Sequence, residues 1–400
     1  MTRLISRRTL LSTAIAASVG GYAYHRGLRY PTLSLEPRGP LTSFDHAGLS
    51  WQFTDCFKTA HKEFTVRAYA PEPKITLRAA TDTVVQFTFN NLSIESSLQS
   101  EHAEISEQID GINRVVTVNL KANQPVHIEW AFAHSSDYTF ASIGDSGGAG
   151  ELSWCLQRAH QLGAQFLLHL GDFYYQEGDY ESAIDLFYNA PLPCYVAIGN
   201  HDFHDGGLLH SQFTDYIGPF NHAFMIGSTR FLNLDTAANF LPRSSGKRGR
   251  LVKTLLTQSE QPLTVAYSHK PLHDPTGEST HDIGHEGERD WLISTLKALN
   301  APTLLSGHIH IFDRSEFAGI DNIIVGQGLG HQDLLTNDVA YSKMAIGHVD
   351  AQGHVDYSFE SLNMPMIQHC HPRIEPVKAS LRNGSDARAK TVALIDKACL

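Results

Sequence analysis

Apolar residues occupy every second position in several short runs between residues 47 and 133. The clearest runs are Leu49, Trp51 and Phe53; Val85, Phe87 and Phe89; Val116, Val118 and Leu120; and Val126, Ile128, Trp130 and Phe132. Successive side chains of a β-strand point to opposite faces, so this alternation, broken by polar turns, predicts antiparallel strands with one buried face. We therefore predict a small all-β, sandwich-like domain over residues 40–134.

From residue 137 onward the pattern changes to strand, loop and helix in repeated order. The predicted strands are residues 138–143, 165–170, 194–198, 229–234, 263–267 and 303–305, and the predicted helices lie near 151–161, 180–189, 249–257 and 289–299. This alternation is typical of layered α/β domains and predicts one over residues 137–365. A hairpin around residues 351–353 and a C-terminal tail over residues 366–400, with a last helix near 386–398, complete the prediction.

The first 25 residues have the features of an export signal. Three arginines, Arg3, Arg7 and Arg8, precede the apolar run 10–19, which is too short and too rich in small residues to span a bilayer comfortably. Residues 6–11 resemble the bacterial twin-arginine motif, which implies export of the folded protein by the twin-arginine machinery to a periplasmic or extracellular location. Contact with a membrane is expected only if the leader stays uncleaved, and both outcomes remain open.

Composition narrows the classes of function. With 42% hydrophobic and 18% charged residues, the 400-residue chain is a folded, core-forming protein rather than a disordered one. Its formal net charge of −11 argues against a nucleic-acid partner, because such proteins present a basic surface. The 23 histidines are an excess of the residue that most often binds metals and moves protons near neutral pH. The five cysteines include no Cys-x-x-Cys pair, so only Cys370 and Cys399 are a candidate bridge.

Polar residues follow five predicted strands at their carboxyl ends. The segments are Gly144-Asp145-Ser146-Gly147, Gly171-Asp172-Phe173-Tyr174-Tyr175, Gly199-Asn200-His201-Asp202, Ser268-His269 and Gly307-His308-Ile309-His310. Open α/β sheets bind ligands beyond these strand ends, so we expect the five segments to converge. The glycines permit close approach of neighbouring backbones. The resulting set of carboxylate, phenol, amide and imidazole groups suits two hard or borderline metal ions.

This ordered set resembles the calcineurin-like metallophosphoesterases and, within them, the purple acid phosphatases. The general family begins with Asp-x-His, whereas Asp145 is followed here by Gly147 at the third position. The purple acid phosphatases have Asp-x-Gly and a tyrosine in Gly-Asp-x-x-Tyr, which is Tyr175 here. The resemblance covers about residues 138–330. It implies a layered β-sandwich with flanking helices, an α/β fold that is preceded in this chain by the small all-β domain.

The resemblance also implies how the ligands divide between two metal ions. One ion would be held by Asp145, Asp172, Tyr175 and His310, and the other by Asp172, Asn200, His269 and His308, with Asp172 as the bridge. Fe(III) is implied in the Tyr175 site, and a divalent Fe, Zn or Mn in the second. A phenolate, two carboxylates and a bridging hydroxide carry formally about −4, so a trivalent and a divalent ion leave a core of about +1. Such a core attracts a phosphate ester although the whole chain is anionic.

The predicted reaction is attack of a metal-bound hydroxide on phosphorus, with the two ions holding the attacking and leaving oxygens. His201 is not needed as a ligand and is expected to donate the proton to the leaving oxygen, with Asp202 orienting its ring. Because His201 should act in its protonated form, we expect an acid optimum. The loop after His269 contains His281 and His285, and either one is a candidate substrate contact.

The main interpretation is an exported acid phosphatase that cleaves phosphomonoesters. A phosphodiesterase with the same metal centre is the first alternative; Gly147 argues against it, because diesterases that resemble this fold usually keep the histidine of Asp-x-His. A non-enzymatic binding protein of the cell envelope, with the all-β domain as its adhesive part, is the second. The complete set of ligand positions argues against that alternative, because inert relatives should have lost ligands.

Overall fold

A computed structural model describes residues 39–61, 64–100, 104–133, 136–203, 211–237, 246–276, 281–283, 286–329 and 342–362. The predicted export signal, the predicted C-terminal helix and the candidate bridge between Cys370 and Cys399 lie outside the described residues. The predicted domain boundaries stay predictions. Within the described ranges, none of the helices combines the length and the apolar character needed to cross a membrane.

Ten strands form the first part of the described chain. They are β1 (Ser43–His46), β2 (Leu49–Thr54), β3 (Cys56–Lys58), β4 (Thr65–Ala68), β5 (Lys74–Ala79), β6 (Thr83–Asn90), β7 (Ser97–Gln99), β8 (Ile105–Asp110), β9 (Asn113–Leu120) and β10 (Val126–Ala131). One sheet has the order β1-β2-β5-β10-β7 and the other the order β3-β4-β6-β9-β8. We call these two sheets together the all-β region.

The alternating apolar residues of the all-β region point into the space between its sheets. Trp51 contacts Phe87 edge to face with ring centroids 5.3 Å apart, and Phe89 contacts Trp130 at 4.5 Å. All four side chains are buried in one cluster with Ile128. The alternation thus arises from one buried and one exposed face per strand, and the prediction of an all-β sandwich is confirmed.

Eleven strands and four helices form the second part. The strands are β11 (Tyr138–Ile143), β12 (Phe166–His169), β13 (Cys194–Val196), β14 (His222–Ile226), β15 (Thr229–Asn233), β16 (Thr264–Tyr267), β17 (Thr303–Ser306), β18 (Phe312–Phe317), β19 (Ile320–Val325), β20 (Lys343–Val349) and β21 (Val355–Ser361). The helices are α1 (Gly150–Gln161), α2 (Asp179–Tyr188), α3 (Gly246–Leu256) and α4 (Glu286–Ala298). A 3₁₀ turn (His201–Phe203) and a π-helical turn (Phe213–Ile217) lie between β13 and β14. The predicted strands, helices and C-terminal hairpin are confirmed, whereas β14, β18 and β19 were not predicted.

Two mixed sheets of this second part face each other. Their orders are β13-β12-β11-β20-β21 and β14-β15-β16-β17-β19-β18. Phe231 on β15 contacts Phe140 on β11 and Phe166 on β12 across the interface, with ring centroids 5.3 and 5.4 Å apart. The next residue, Leu232, points to the other face, where it packs with Val252 of α3. The predicted layered sandwich with flanking helices is therefore confirmed.

Parallel pairing brings the carboxyl ends of the central strands to one edge of each sheet. Strand β12 pairs in parallel with β11 and β13, and β16 pairs in parallel with β15 and β17. The five polar segments identified in the sequence follow β11, β12, β13, β16 and β17. The topology thus directs all five segments toward a common region.

The all-β region contacts the second part through buried polar groups. The side-chain amide of Asn91 donates to the carbonyl of Cys194 (2.9 Å) and accepts from its N–H (2.8 Å). Strand β13, which contains Cys194, lies at the end of its sheet, so Asn91 satisfies backbone groups that a further strand would otherwise bond. The buried Arg67 donates to the carbonyls of Ile217 (3.4 Å) and Cys194 (3.5 Å) and lies over the ring of Tyr188.

Three described cysteines, Cys56, Cys155 and Cys194, are buried free thiols. Burial raises the pKa of each, to about 12 for Cys194, so the thiols are protonated at neutral pH and chemically quiet. Cys155 lies on a core helix and Cys194 on a core strand. Both behave as small apolar residues.

Arg67→Ala should lower the free energy of unfolding by about 2–4 kcal/mol, because it empties a buried site and removes charged hydrogen bonds to two carbonyls. Urea denaturation of the full chain measures the change. Lys74→Ala is the matched control: Lys74 pairs with Glu129 at 3.0 Å, but both side chains are about half exposed, so its loss should cost less than about 0.5 kcal/mol. An equally small effect of both substitutions would contradict a stabilising role for the buried contact.

Candidate metal centre

Three predicted site residues have left-handed backbone conformations. Asp145, Asp172 and His308 have φ values of 60°, 59° and 69°. Such a conformation costs a residue with a side chain about 1–2 kcal/mol. It persists where the surrounding structure enforces it, which is common at functional sites. The three residues lie just beyond the ends of β11, β12 and β17.

Hydrogen bonds between the strand-end segments enforce these conformations. The N–H of Asp145 donates to the carbonyl of Gly171 (2.9 Å), and the N–H of His308 donates to Asp145 Oδ2 (2.8 Å). The N–H of Gly307 donates to the carbonyl of His269 (2.9 Å). The segments therefore form one interlocked unit rather than five independent loops.

Glycines occupy the points of closest approach between segments. A Cβ at Gly199 would overlap Oδ1 and the backbone nitrogen of Asp172, and a Cβ at Gly307 would overlap Oδ2 of Asp145. Both carboxylates can occupy their positions only because these two neighbours lack a side chain. This is the close backbone approach that the sequence predicts.

The first group of donor atoms surrounds the hydroxyl of Tyr175. Tyr175 Oη lies 3.0 Å from His310 Nε2. It lies 3.4 Å from both Asp145 Oδ1 and Asp172 Oδ2. These four residues, which come from three strand ends, are the set that the resemblance to purple acid phosphatases implies for one metal ion.

The second group surrounds Nε2 of His269. This atom lies 2.8 Å from Asn200 Oδ1 and 3.2 Å from His308 Nδ1. It lies 3.4 Å from Asp172 Oδ2. Ligand atoms of Asp172, His269 and His308 all fall within 4.8 Å of one another, close enough to coordinate a single ion. These four residues are the set predicted for the other ion.

Asp172 belongs to both groups through a single oxygen. Its Oδ2 faces Tyr175 on one side and His269 on the other, each at 3.4 Å. Its Oδ1 accepts the backbone N–H of His201 at 2.9 Å. With Oδ1 engaged by the backbone, Oδ2 is the oxygen of Asp172 that faces both groups.

The chemistry of the second group fits a cation. His269 Nδ1 lies 2.8 Å from the carbonyl of Leu170, which can only accept, so this nitrogen is the donor and the neutral ring directs a lone pair through Nε2. Nε2 then faces oxygen and nitrogen lone pairs of Asn200, His308 and Asp172. Burial acts to lower the pKa of His269, but the charge of Asp172 outweighs it and raises the pKa to about 9. The group therefore attracts a positive charge, and a metal ion supplies it without the proton.

The first group fits a cation for a related reason. Burial raises the pKa of Asp145 and, with the charges of Asp172 and Asp145 adding to it, holds the pKa of Tyr175 well above its usual value. The described ion pairs of the two carboxylates are with His310 (3.5 Å) and His269 (3.4 Å). Two buried carboxylates beside a phenol are stabilised by a bound metal ion, which also favours the phenolate.

His201 and Asp202 are adjacent in sequence but face different surroundings. The side chain of His201 is exposed, and its ring centroid lies 4.6 Å from that of Tyr175. Asp202 is fully buried, and its carboxylate accepts backbone N–H groups, including those of Asp172 (2.8 Å) and Gly199 (2.7 Å). The expectation that Asp202 orients the ring of His201 is wrong. In a 3₁₀ turn successive side chains are about 120° apart, which separates the two residues.

The two histidines that are candidate substrate contacts, His281 and His285, differ in what the structure shows of them. His281 is exposed, with its ring centroid 5.5 Å from that of His308, so it lies at the rim of the second group. His285 lies outside the described residues. His273, from the same loop, stacks on Phe317 at 4.9 Å. Of the two described histidines of this loop, His281 is the one that lies next to the predicted ligands.

A sixth strand end, after β19, also contacts the site. This segment contains Gly326 and Gly328. A Cβ at Gly326 would overlap the carbonyl of Ile309, and a Cβ at Gly328 would lie 2.5 Å from the carbonyl oxygen of Gly144. The N–H of Gly328 donates to that same carbonyl at 2.9 Å. Sequence reasoning missed this segment as part of the site because it carries no ligand. The sequence feature that could have identified this segment is the one that identified the others, namely glycines directly after a strand.

Comparison with protein-family models finds a match over somewhat less than half of the chain. The family model described as calcineurin-like phosphoesterase matches residues 126–312. A search of curated protein sequences finds no match. The matched range contains all seven residues of the two groups.

The solved structures that match this chain share little sequence with it. The purple acid phosphatase PPD1 of yellow lupin (Lupinus luteus) is 14% identical over 78% of this chain and 72% of its own, with a TM-score of 0.49. GAP50 of Plasmodium, described as the anchor in the inner membrane complex, is 14% identical over 57% and 86%, with a TM-score of 0.41. A dimetal phosphatase of Danio rerio is 14% identical over 57% and 97%, with a TM-score of 0.40.

Gly307→Ala should reduce the metal content of the protein, because the added methyl group displaces Asp145 from the first group. Elemental analysis of the purified variant should give about one ion per chain or fewer, against about two in the wild type. Gly163→Ala is the control: Gly163 has a φ of 80°, and a Cβ there meets nothing within 4 Å. It should carry a strain of about 1 kcal/mol and keep both ions. Full metal content in Gly307→Ala would show that Asp145 is not a ligand.

Proposed function

We propose that this chain, which contains a calcineurin-like phosphoesterase domain and is a metal-dependent phosphoric ester hydrolase, is an acid phosphatase that cleaves phosphomonoesters. The observation that carries the proposal is the position of Tyr175. Its hydroxyl lies within 3.4 Å of donor atoms of Asp145, Asp172 and His310. Gly147 stands where the general family has a histidine, so Tyr175 supplies the missing ligand, as in the resemblance to purple acid phosphatases.

The family uses a dinuclear metal centre, and we assign Fe(III) to the Tyr175 group and Fe, Zn or Mn(II) to the His269 group. The reason is charge. Two carboxylates, a phenolate and a hydroxide carry a formal charge of about −4. Two divalent ions would therefore leave a net charge near zero, whereas one trivalent and one divalent ion would leave a net charge of about +1. Bound in this way, the ions supply an activated water and neutralise the negative charge of the phosphoryl oxygens.

The residues of the chain have separate tasks in this proposal. Asp145, Tyr175 and His310 hold one ion, and Asn200, His269 and His308 hold the other. The bond from His269 Nδ1 to the carbonyl of Leu170 keeps the Nε2 lone pair directed at its ion. Asp172, which faces both groups, would contribute a carboxylate ligand to each ion.

We assign to His201 the transfer of a proton to the leaving oxygen. Its ring is exposed at the edge of the first group, where it packs beside Tyr175, so it can reach a bound ester without giving up a metal contact. A positioned acid of this kind contributes about 10²–10⁴-fold to the rate. His281, beside His308, is the proposed contact for a phosphoryl oxygen, a more modest role.

We also propose that the protein is exported from the cytoplasm. Arg7 and Arg8 ahead of an apolar run support recognition by the twin-arginine machinery and an envelope location. That machinery carries folded proteins, which suits a chain that must acquire two metal ions before use.

His201→Ala should lower kcat for p-nitrophenyl phosphate by about 10²–10⁴-fold while the metal content stays at the wild-type value, because the imidazole is lost but the ligands are kept. Stopped assays across acid and neutral pH, together with elemental analysis, measure both quantities. Asp172→Ala is the second arm and should remove both ions and all turnover.

The same assay separates the two ester classes. The wild type should hydrolyse p-nitrophenyl phosphate faster than bis(p-nitrophenyl) phosphate, and a reversed order would favour the phosphodiesterase. Undiminished turnover in both variants would rule out catalysis at this centre, whereas a metal-loaded wild type that hydrolyses neither ester would favour the non-enzymatic binding protein.

A further inference from the structure

Asp202 is a buried carboxylate that the catalytic proposal does not use. It is fully buried in the 3₁₀ turn and points away from the donor atoms of both groups toward the backbone. Its Oδ2 accepts the N–H groups of Gly199 (2.7 Å) and Asp172 (2.8 Å), and its Oδ1 accepts those of Phe173 (2.9 Å) and Tyr174 (3.1 Å). One side chain therefore satisfies four backbone donors from two strand-end segments.

The two segments carry ligands of different kinds. The segment after β12 carries Asp172, which faces both groups, and the segment after β13 carries Asn200, which belongs to the second group. Asp172 also has a strained φ of 59°. The bonds that Asp202 accepts connect the two segments at Gly199, directly before Asn200, and at Asp172 and the two residues that follow it. Their relative position therefore depends on Asp202.

We propose that Asp202 is a positioning residue that sets the geometry of the second metal site by holding Asp172 and Asn200 in register. The inference rests on the proposed two-metal function and names the residue that orients its ligands. Groups that orient metal ligands without touching the metal typically change affinity about 10–100-fold when they are replaced. A carboxylate is required because each of its oxygens accepts two N–H groups, whereas an amide nitrogen would oppose two of them.

A second buried carboxylate, that of Asp179, bonds a different segment of the site, so replacing Asp202 should affect mainly the second metal site. Asp179 accepts the N–H groups of Tyr175 (3.0 Å) and Gln176 (3.2 Å) through its Oδ2. It thus bonds the segment next to the Tyr175 ligand of the first group. The four bonds accepted by Asp202 instead join the segments that carry Asp172 and Asn200.

Metal binding tests the proposal. Wild-type protein and Asp202→Asn, each loaded with Zn²⁺, are dialysed against graded EDTA and assayed for metal per chain. The wild type should hold two ions, and Asp202→Asn should release one of them at a chelator activity about 10–100-fold lower. Asn91→Ala is the matched control, because Asn91 bonds the same strand, β13, at Cys194 but no ligand segment. It should lower the unfolding temperature and leave both affinities unchanged.

The outcomes separate the two claims. A wild type that never binds two ions overturns the proposed function. Two ions in the wild type with unchanged affinities in Asp202→Asn overturn the positioning role, as does an equal loss of affinity in Asn91→Ala, which would indicate a general structural effect.

Hydrogen exchange on the metal-free wild type provides a test that needs no folded variant. The amides of residues 172–174 donate to Asp202 and should exchange at least about tenfold more slowly than that of the exposed Glu177. Exchange at the rate of Glu177 would mean that Asp202 does not hold this segment in solution, and the proposal would fail.

Discussion

The site depends on one constraint, the position of the buried carboxylate of Asp172. Its Oδ1 is bonded to the backbone of His201, so Oδ2 alone faces Tyr175 and His269. The residue reaches this position through a left-handed backbone conformation that costs about 1–2 kcal/mol. The four N–H groups that donate to Asp202 stabilise the strained segment. Gly199, which lacks a side chain, leaves room for the carboxylate of Asp172. Every other donor atom is arranged around this carboxylate.

The fold serves this arrangement at longer range. Parallel strands bring five segments to the same edge, and the aromatic core between the two sheets keeps the strands in register. The all-β region contributes from outside by bonding the end strand β13 through Asn91 and Arg67. Because β13 leads into the segment with Asn200, the all-β region stabilises an element of the site without supplying a ligand to it.

Much of the fold could be predicted because the signals are local. Strands of the all-β region alternate since one face is buried, and each site segment directly follows a strand in the sequence. The predicted ligands were brought together in two groups for the same reason. Strands β14, β18 and β19 were missed. In β18 the reason is that the strand has no fully buried position and lacks a clear alternation of apolar residues.

Two kinds of contact could not be predicted. Some join residues that are far apart in the sequence, and others separate the side chains of residues that are adjacent in the sequence. Asn91 and Cys194 are 103 residues apart, and neither carries a motif that names the other. Asp202 follows His201 directly, which suggested a side-chain pair, but the 3₁₀ turn directs one outward and the other into the backbone of the β12 segment. Only the three-dimensional path of the chain shows which donors a buried carboxylate meets.

The visible absorption spectrum of the iron-loaded protein tests the central claim most directly, because a tyrosinate bound to Fe(III) absorbs visible light. We expect a visible band in the wild type. Tyr175→Phe should abolish this band, and Tyr174→Phe, a change at the neighbouring ring outside both groups, should retain it. A colourless wild-type protein that contains two metal ions per chain, or a band that survives Tyr175→Phe, would contradict the assignment of a trivalent ion to the Tyr175 group.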